Sequence, residues 1–345
     1  MLKKAALVGL LGVTLSGFAT EASSQQKFVL SAYAPYAHWM ISQGMEQWAK
    51  DVDAATQGRV KVEVLKTPLG KPEAHYDMAR DGITDIAVTV PGYTAGRFIL
   101  NEVSAIPNVG DTGRGLSVAL WRMYAKYPEM QKEYADTKLL GIWTTSPFLF
   151  YNSKQPIQKM DDFKGLKIRS PGGVASDILT AIGAVPVTQP AGKAYELIST
   201  GVLDGVVFPK ETIVPFKLDK ILKYATIVPG GITATSIVTV MNPAKFNALS
   251  KQDQDAIMSV SGERLSQLIG PLWDKYGDAG LDALKASGGQ VSTASPELAK
   301  QISAVSEKAV EGWFKDAKEK RGVDGNKLLA EFRAEVKKVE STPTN

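Results

Sequence analysis

The chain of 345 residues contains no cysteine, so neither a disulfide nor a thiolate metal site can be built from it. Histidine is almost absent as well: there are two, His38 and His75, without ligand-type spacing. The sequence also lacks a Gly-x-Ser-x-Gly, a phosphate-cradling glycine loop and a His-Glu-x-x-His, so any catalytic centre would have to rest on scattered carboxylates. No enzymatic activity, cofactor or metal is therefore expected, with an oxygen-ligand metal site the one kind left open; an exported hydrolase or isomerase with a carboxylate base is the weaker alternative. Charge of one sign is missing too. Forty basic residues face 36 acidic ones, a net charge of +4, and the C-terminal lysines interleave with glutamate as in Lys315 to Arg321. That pattern belongs to a solvated helix face and implies no nucleic-acid partner.

Long hydrophobic runs are absent except near the start. Met1-Leu2-Lys3-Lys4, the apolar stretch Ala5 to Ala19 and the small residues Ala22-Ser23-Ser24 have the layout of a secretory signal peptide over residues 1–24. The stretch is shorter than the roughly 20 residues of a membrane span, and without cysteine the signal cannot end in lipid acylation. A soluble, monomeric periplasmic protein beginning near Gln25 is expected.

What is present is an alternation of strands and helices. Lys27 to Ala32 reads as a strand, Ile41, Met45, Trp48 and Val52 share a helical face, and Arg59 to Leu65 reads as a strand again. The same grammar returns at Leu166 to Arg169, Ala175 to Ile182, Val185 to Thr188, Ala194 to Thr200 and Asp204 to Phe208. Such alternation builds α/β sheets with crossover helices. Two stretches echo each other, Gly82-Ile83-Thr84-Asp85-Ile86-Ala87-Val88 running to Pro91 and Gly201-Val202-Leu203-Asp204-Gly205-Val206-Val207 running to Pro209. In each, a helix ends at glycine, an aspartate opens the turn and a β-rich run reaches a loop of the kind where α/β folds hold ligands. About 320 residues after the signal exceed one ordinary core, so two lobes are expected. The boundaries are drawn at 25–148 with about 237–276 for the first lobe and 149–236 with about 277–340 for the second, with 341–345 a disordered tail. Lys223 to Met241 is read as returning the chain between lobes, and Pro271 as kinking a long helix around Leu265 to Tyr276.

Asp162-Phe163-Lys164-Gly165-Leu166-Lys167-Ile168-Arg169-Ser170-Pro171-Gly172-Gly173, then Gly183-Ala184-Val185-Pro186-Val187, then Ala194-Tyr195-Glu196-Leu197-Ile198-Ser199-Thr200-Gly201-Val202-Leu203-Asp204-Gly205 resembles the DctP-like substrate-binding proteins of TRAP (tripartite ATP-independent periplasmic) transporters. The resemblance extends over essentially the whole chain after the signal. It implies a two-lobed periplasmic binding protein fold with connecting strands and a long kinked helix, closing over a small organic acid, and a membrane permease as partner, driven by an ion gradient. It also implies that Arg169, at the end of the Leu-Lys-Ile-Arg strand, pairs with the substrate carboxylate. Guanidinium suits that role as a permanently charged planar fork of donors, and Pro171-Gly172-Gly173 leads into a helix whose N-terminal dipole favours an anion nearby.

The rest of the candidate site is aromatic. Where sialic-acid binders of the family carry another arginine, this chain reads Ser146-Pro147-Phe148-Leu149-Phe150, and a family contact position that is often polar is Phe208. The loop Tyr33-Ala34-Pro35-Tyr36-Ala37-His38-Trp39 borders the cleft by the same resemblance, with Tyr33 or His38 as candidate partners for a distal hydroxyl and Trp39 as a further ring. Glu211 is a candidate rim residue. The expected ligand is an aromatic monocarboxylate of the hydroxycinnamate type, such as coumarate, ferulate or cinnamate. The alternatives are an aliphatic keto or hydroxy acid, or a C4-dicarboxylate with Lys210 supplying the second charge; a sensor presenting its closed form to a membrane receptor is a third.

Overall fold

The structure, a computed structural model, describes residues 25–342. The signal-peptide reading of residues 1–24 lies outside the described residues. Among those described, no helix is long and apolar enough to cross a membrane.

The first lobe opens with β1 (Gln26–Ala32), α1 (Glu46–Ala55), β2 (Val60–Val64), α2 (His75–Arg80) and β3 (Ile86–Thr89). After α3 (Gly113–Lys126) and α4 (Pro128–Lys132), β4 (Lys138–Thr144) ends the sheet's first pass. The second lobe begins at β5 (Phe148–Asn152) and continues through β6 (Lys167–Ser170), α5 (Val174–Ala181), β7 (Val185–Thr188), α6 (Ala194–Ser199), β8 (Gly205–Pro209) and β9 (Tyr224–Ile227). The chain then returns as β10 (Ser236–Met241), so Lys223 to Met241 does run between the lobes. The first sheet has the order β2-β1-β3-β10-β4, with β10 antiparallel to both neighbours. Beyond β10 lie α7 (Pro243–Asn247), α8 (Lys251–Ser259), α9 (Glu263–Lys275) and α10 (Gly277–Ala286). Then β11 (Gln290–Thr293) completes the second sheet, β11-β9-β5-β8-β6-β7, before α11 (Pro296–Ala309), α12 (Glu311–Arg321) and α13 (Gly325–Glu340). This is the two-lobed α/β architecture with connecting strands and a long bent helix that the resemblance implies.

The echo in the sequence is an echo in space. Gly82 and Gly201 both take positive φ, +78° and +75°, and turn the chain from α2 into β3 and from α6 into β8. In the first lobe the Asp85 carboxylate accepts from the Val29 N–H at 2.6 Å, and in the second the Asp204 carboxylate accepts from the Lys167 N–H at 2.8 Å. Each aspartate thus fixes the neighbouring parallel strand in register, β1 beside β3 and β6 beside β8. Each unit ends in a short 3-10 turn, Pro91–Tyr93 and Lys210–Thr212, on the cleft side of its lobe.

Four segments join the lobes among the described residues, the last being α11–α12, which leads from the second lobe to α13 on the first. Residues 145–147 and 228–235 run side by side, with the Thr145 N–H donating to the Thr235 carbonyl at 2.9 Å and the Thr235 N–H donating to the Thr145 hydroxyl at 3.1 Å. The third is the bent helix α9–α10, which carries Pro271 and changes direction at Tyr276. It lies along α3, whose first N–H groups, of Gly113 and Arg114, donate to the Asp274 carboxylate at 2.6 and 3.0 Å.

The C-terminal helix departs from the expected grouping of 277–340 with the second lobe. α13 packs on α3 of the first lobe, burying Leu328, Leu329, Phe332 and Val336, and the Glu340 carboxylate accepts from the N–H groups of Asp111 and Thr112 at 3.0 and 2.9 Å. An apolar stripe says that a helix will pack without saying on which lobe. Ser341 and Thr342, at the start of the expected disordered tail, bond back through their N–H groups to Lys337 and Val339.

Candidate functional site

Arg169 is the next-to-last residue of β6, where the second lobe faces the first. Its side chain is 3% exposed, and its Nε donates to the Gln189 carbonyl at 2.7 Å. The guanidinium lies 5.0 Å from the centre of the Phe208 ring. Among the described residues no carboxylate forms an ion pair with it. Burial lowers its tendency to stay protonated, while the phenols of Tyr93 and Tyr33 facing it act the other way. An arginine so placed remains a cation at neutral pH.

Around it lies a cavity of about 30 Å³. From the first lobe come Tyr33, at the exit of β1, and Tyr93, on the first 3-10 turn, their rings edge to face at 5.9 Å. From the second come Phe148, Phe208 and Phe216, with Phe148 stacked on Phe208 at 6.4 Å and Phe216 edge-on to Phe208 at 5.7 Å. Trp273 of the bent helix, Thr212 of the second 3-10 turn and the crossing residues Thr145 and Thr235 close the wall. Burial pushes both phenols above their ordinary range, so Tyr33 and Tyr93 stay neutral. Arg169 is the one formally charged side chain lining the cavity. An aromatic-walled pocket with one buried positive charge is complementary to a monoanion with a flat apolar body.

The sequence-predicted residues divide by position. Tyr33, Phe148, Arg169 and Phe208 share this cavity. Phe150 sits two residues, about 6.6 Å, further along β5, packed edge-on against Phe163 at 4.8 Å in the core. His38 lies behind the wall, its ring 5.8 Å from both Phe216 and Trp273; burial pulls its pKa down to about 3, so it is neutral. Trp39 stacks on Tyr276 at 5.1 Å and meets Trp273 edge-on at 4.7 Å, which places it at the bend of the long helix. Glu211, expected on the rim, is 2% exposed and accepts the Ser146 hydroxyl at 2.7 and 2.9 Å; burial pushes its pKa up to about 8. Lys210 lines a different cavity of about 470 Å³ with Asp111, Asp274 and Asp278, its Nζ 3.4 Å from Asp278. The C4-dicarboxylate alternative therefore finds no second cation beside Arg169.

Tyr93, Thr212, Phe216 and Trp273 are wall residues that sequence reasoning missed. Following the two echoing units past Pro91 and Pro209 would have reached Tyr93 and Thr212, which stand two and three residues beyond those prolines. Phe216 and Trp273 carry no comparable signal, since buried rings are common in any core.

The N-terminus of α5 has an occupant from the protein itself. The Val174 N–H donates to the Glu102 carboxylate at 3.0 Å, so the dipole that follows Pro171-Gly172-Gly173 is answered across the cleft by a first-lobe side chain. Burial raises the pKa of Glu102 from 4.5 to about 7, opposed by the Val174 bond and reinforced by Asp177 of α5, Glu133 after α4 and Asp316 of α12. An acid with a raised pKa in the folded protein binds more protons folded than unfolded, so its contribution lowers stability as pH rises from about 4.5 to about 7. Glu102→Gln should therefore gain melting temperature relative to wild type as pH goes from 5 to 8. A difference that is constant across that range in paired melting curves would show that Glu102 does not titrate there.

Comparison with known proteins gives concordant results. The sequence profile of bacterial extracellular solute-binding protein family 7, DctP, matches residues 31–316. A TRAP periplasmic solute-binding protein of Bordetella bronchiseptica, solved with bound (R)- and (S)-mandelate, superposes with a TM-score of 0.87 at 36% identity, covering 91% of this chain and 99% of that one. A marine metagenome TRAP solute-binding protein specific for aromatic acid ligands, solved with 3-hydroxybenzoate, gives 0.86 at 29% identity over 92% of this chain and 100% of the other. A Comamonas testosteroni protein named outer membrane transporter protein TsaT is 31% identical over 319 residues, 92% of this chain and 94% of its own.

Proposed function

We propose, from the premise that this chain belongs to bacterial extracellular solute-binding protein family 7 and is a TRAP solute-binding protein, that its ligand is an aromatic monocarboxylate held by Arg169. TRAP solute-binding proteins are extracytoplasmic and work with membrane permeases, so capture outside the cytoplasm and delivery to such a permease are the roles assigned to this chain. The observation that carries the reading is the buried guanidinium without a carboxylate partner, the one charge in a pocket walled by Tyr33, Tyr93, Phe148, Phe208 and Phe216. Mandelate and 3-hydroxybenzoate in the two structural neighbours support the class, because both join one carboxylate to one ring. Hydroxycinnamates such as coumarate and ferulate belong to the same class with a longer spacer.

In this reading the carboxylate meets the guanidinium fork while the ring lies between aromatics from both lobes. Closure removes water and strengthens the ion pair. A closed form without an anion would leave the cation buried and unpaired, which favours opening until ligand arrives. The test is a ligand-induced thermal shift of residues 25–345 against benzoates, mandelates, cinnamates, aliphatic keto acids and C4-dicarboxylates, confirmed by titration calorimetry. A ligand that binds only the folded form raises the melting temperature by mass action. Selective stabilisation by aromatic acids is expected; stabilisation by dicarboxylates or keto acids alone would overturn the aromatic assignment.

A further inference from the structure

Buried polar atoms without hydrogen-bond partners gather at one end of the pocket. Thr212 Oγ1 and Trp273 Nε1 both belong to residues lining the cavity, and both are buried and unpartnered. His38 Nε2 and Trp39 Nε1, directly behind them, are in the same condition. The rings form one cluster, with centres 4.7 Å apart for Trp39 and Trp273, 4.9 Å for His38 and Trp39, and 5.8 Å for His38 and Trp273.

Successive ring contacts connect these groups to Arg169. From Arg169 the series runs 5.0 Å to Phe208, 5.7 Å from Phe208 to Phe216 and 5.8 Å from Phe216 to His38. Thr212 is tied to Phe216, whose N–H donates to the Thr212 carbonyl at 3.4 Å. The unpartnered groups are thus linked to the guanidinium through the Phe208 and Phe216 rings.

Their chemistry is one-sided. An indole N–H can only donate. The Met40 N–H donates to His38 Nδ1 at 3.2 Å, which makes Nδ1 the acceptor and leaves the proton of the neutral ring on Nε2. Threonine can donate or accept. The two groups that belong to the cavity wall, one indole N–H and one hydroxyl, call for an acceptor, and leaving them buried and unmet is costly. We infer that Thr212 and Trp273 form a specificity subsite for an oxygen function of the ligand distal to its carboxylate. The substrate class narrows to oxygenated aromatic monocarboxylates, in which a ring hydroxyl, carbonyl or ether oxygen meets this end while the carboxylate meets Arg169. The inference rests on the carboxylate reading proposed above.

The experiment compares paired acids by titration calorimetry: benzoate with 3- and 4-hydroxybenzoate, and cinnamate with 4-hydroxycinnamate. In the wild type the better hydroxylated member of at least one pair should bind about tenfold or more tightly than its plain acid. Thr212→Val should collapse that ratio toward one, and Thr212→Ser should retain it. Trp273→Phe provides a second reading of the ratio if the valine variant folds poorly. Plain acids that bind as tightly as hydroxylated ones in the wild type would overturn the subsite and leave the Arg169 reading standing. So would a ratio that survives in both Thr212→Val and Trp273→Phe. Failure of every acid to bind would overturn the carboxylate reading and the subsite with it.

Discussion

Replacing Arg169 with methionine, which keeps much of the stem and removes the charge, should weaken binding of an aromatic acid at least a hundredfold and abolish the ligand-induced thermal shift. Truncating one partner of a buried, hydrogen-bonded charge pair costs about 2–5 kcal/mol, which is about 30-fold to several thousandfold in Kd. Arg169 belongs in the upper part of that range because it is 3% exposed and no other charged side chain lines the cavity. The same argument fixes the sign of a second observable. In a closed form without ligand the guanidinium is desolvated, with the Gln189 carbonyl, the Phe208 face and the Tyr93 phenol to offset the loss of water. Its removal should therefore leave the melting temperature of the unliganded protein unchanged or higher, since an unpaired buried charge destabilises the fold. Arg169→Lys should recover part of the affinity, because an ammonium supplies charge without the bidentate fork. A methionine variant that is destabilised without ligand and still binds would identify Arg169 as a structural residue serving Gln189 and Phe208.

The difference between what was legible and what was not follows the range of the interactions. Strands β6, β7 and β8 and the helices between them announce themselves through short apolar runs, glycine stops and the Asp204 turn, all local features. Arg169, Phe208 and the Tyr33 loop came from the family resemblance, which marks their positions as bordering the ligand, and the structure brings Tyr33, Arg169 and Phe208 to one cavity. Phe150 and Trp39 were drawn into the site because they stand in stretches that border the cleft by resemblance; a ring in such a stretch does not reveal whether it faces the cleft or the core. Glu211 was read as a rim residue, whereas the Ser146 hydroxyl from the crossing segment 145–147 partners its carboxylate in a buried position. The lobe assignment of α13 rests on a contact with α3 some 200 residues earlier, which no local pattern encodes.

A methyl group added at Gly280 should do more damage than its size suggests. The second half of the bent helix lies against the turn Lys210–Thr212, and a Cβ at position 280 would stand 1.9 Å from the Lys210 carbonyl oxygen and 3.2 Å from the Glu211 Cα. Both obstacles are backbone, so no rotamer change can relieve the overlap, and either α10 or the turn must move. Overpacking of this kind costs about 1–3 kcal/mol, occasionally more, and Gly280→Ala should lose that much in denaturant unfolding followed by tryptophan fluorescence. Gly312→Ala is the matched control, because nothing lies within 4 Å of its added methyl in α12 and the helix should gain about 0.5–1 kcal/mol. The consequence extends to binding. The displaced turn carries Thr212 into the pocket wall and anchors Glu211 to Ser146 between the lobes, so ligand affinity should fall together with stability. Wild-type stability in Gly280→Ala would mean that helix and turn separate without cost, and the bent helix would then have no rigid hold on the ligand's wall.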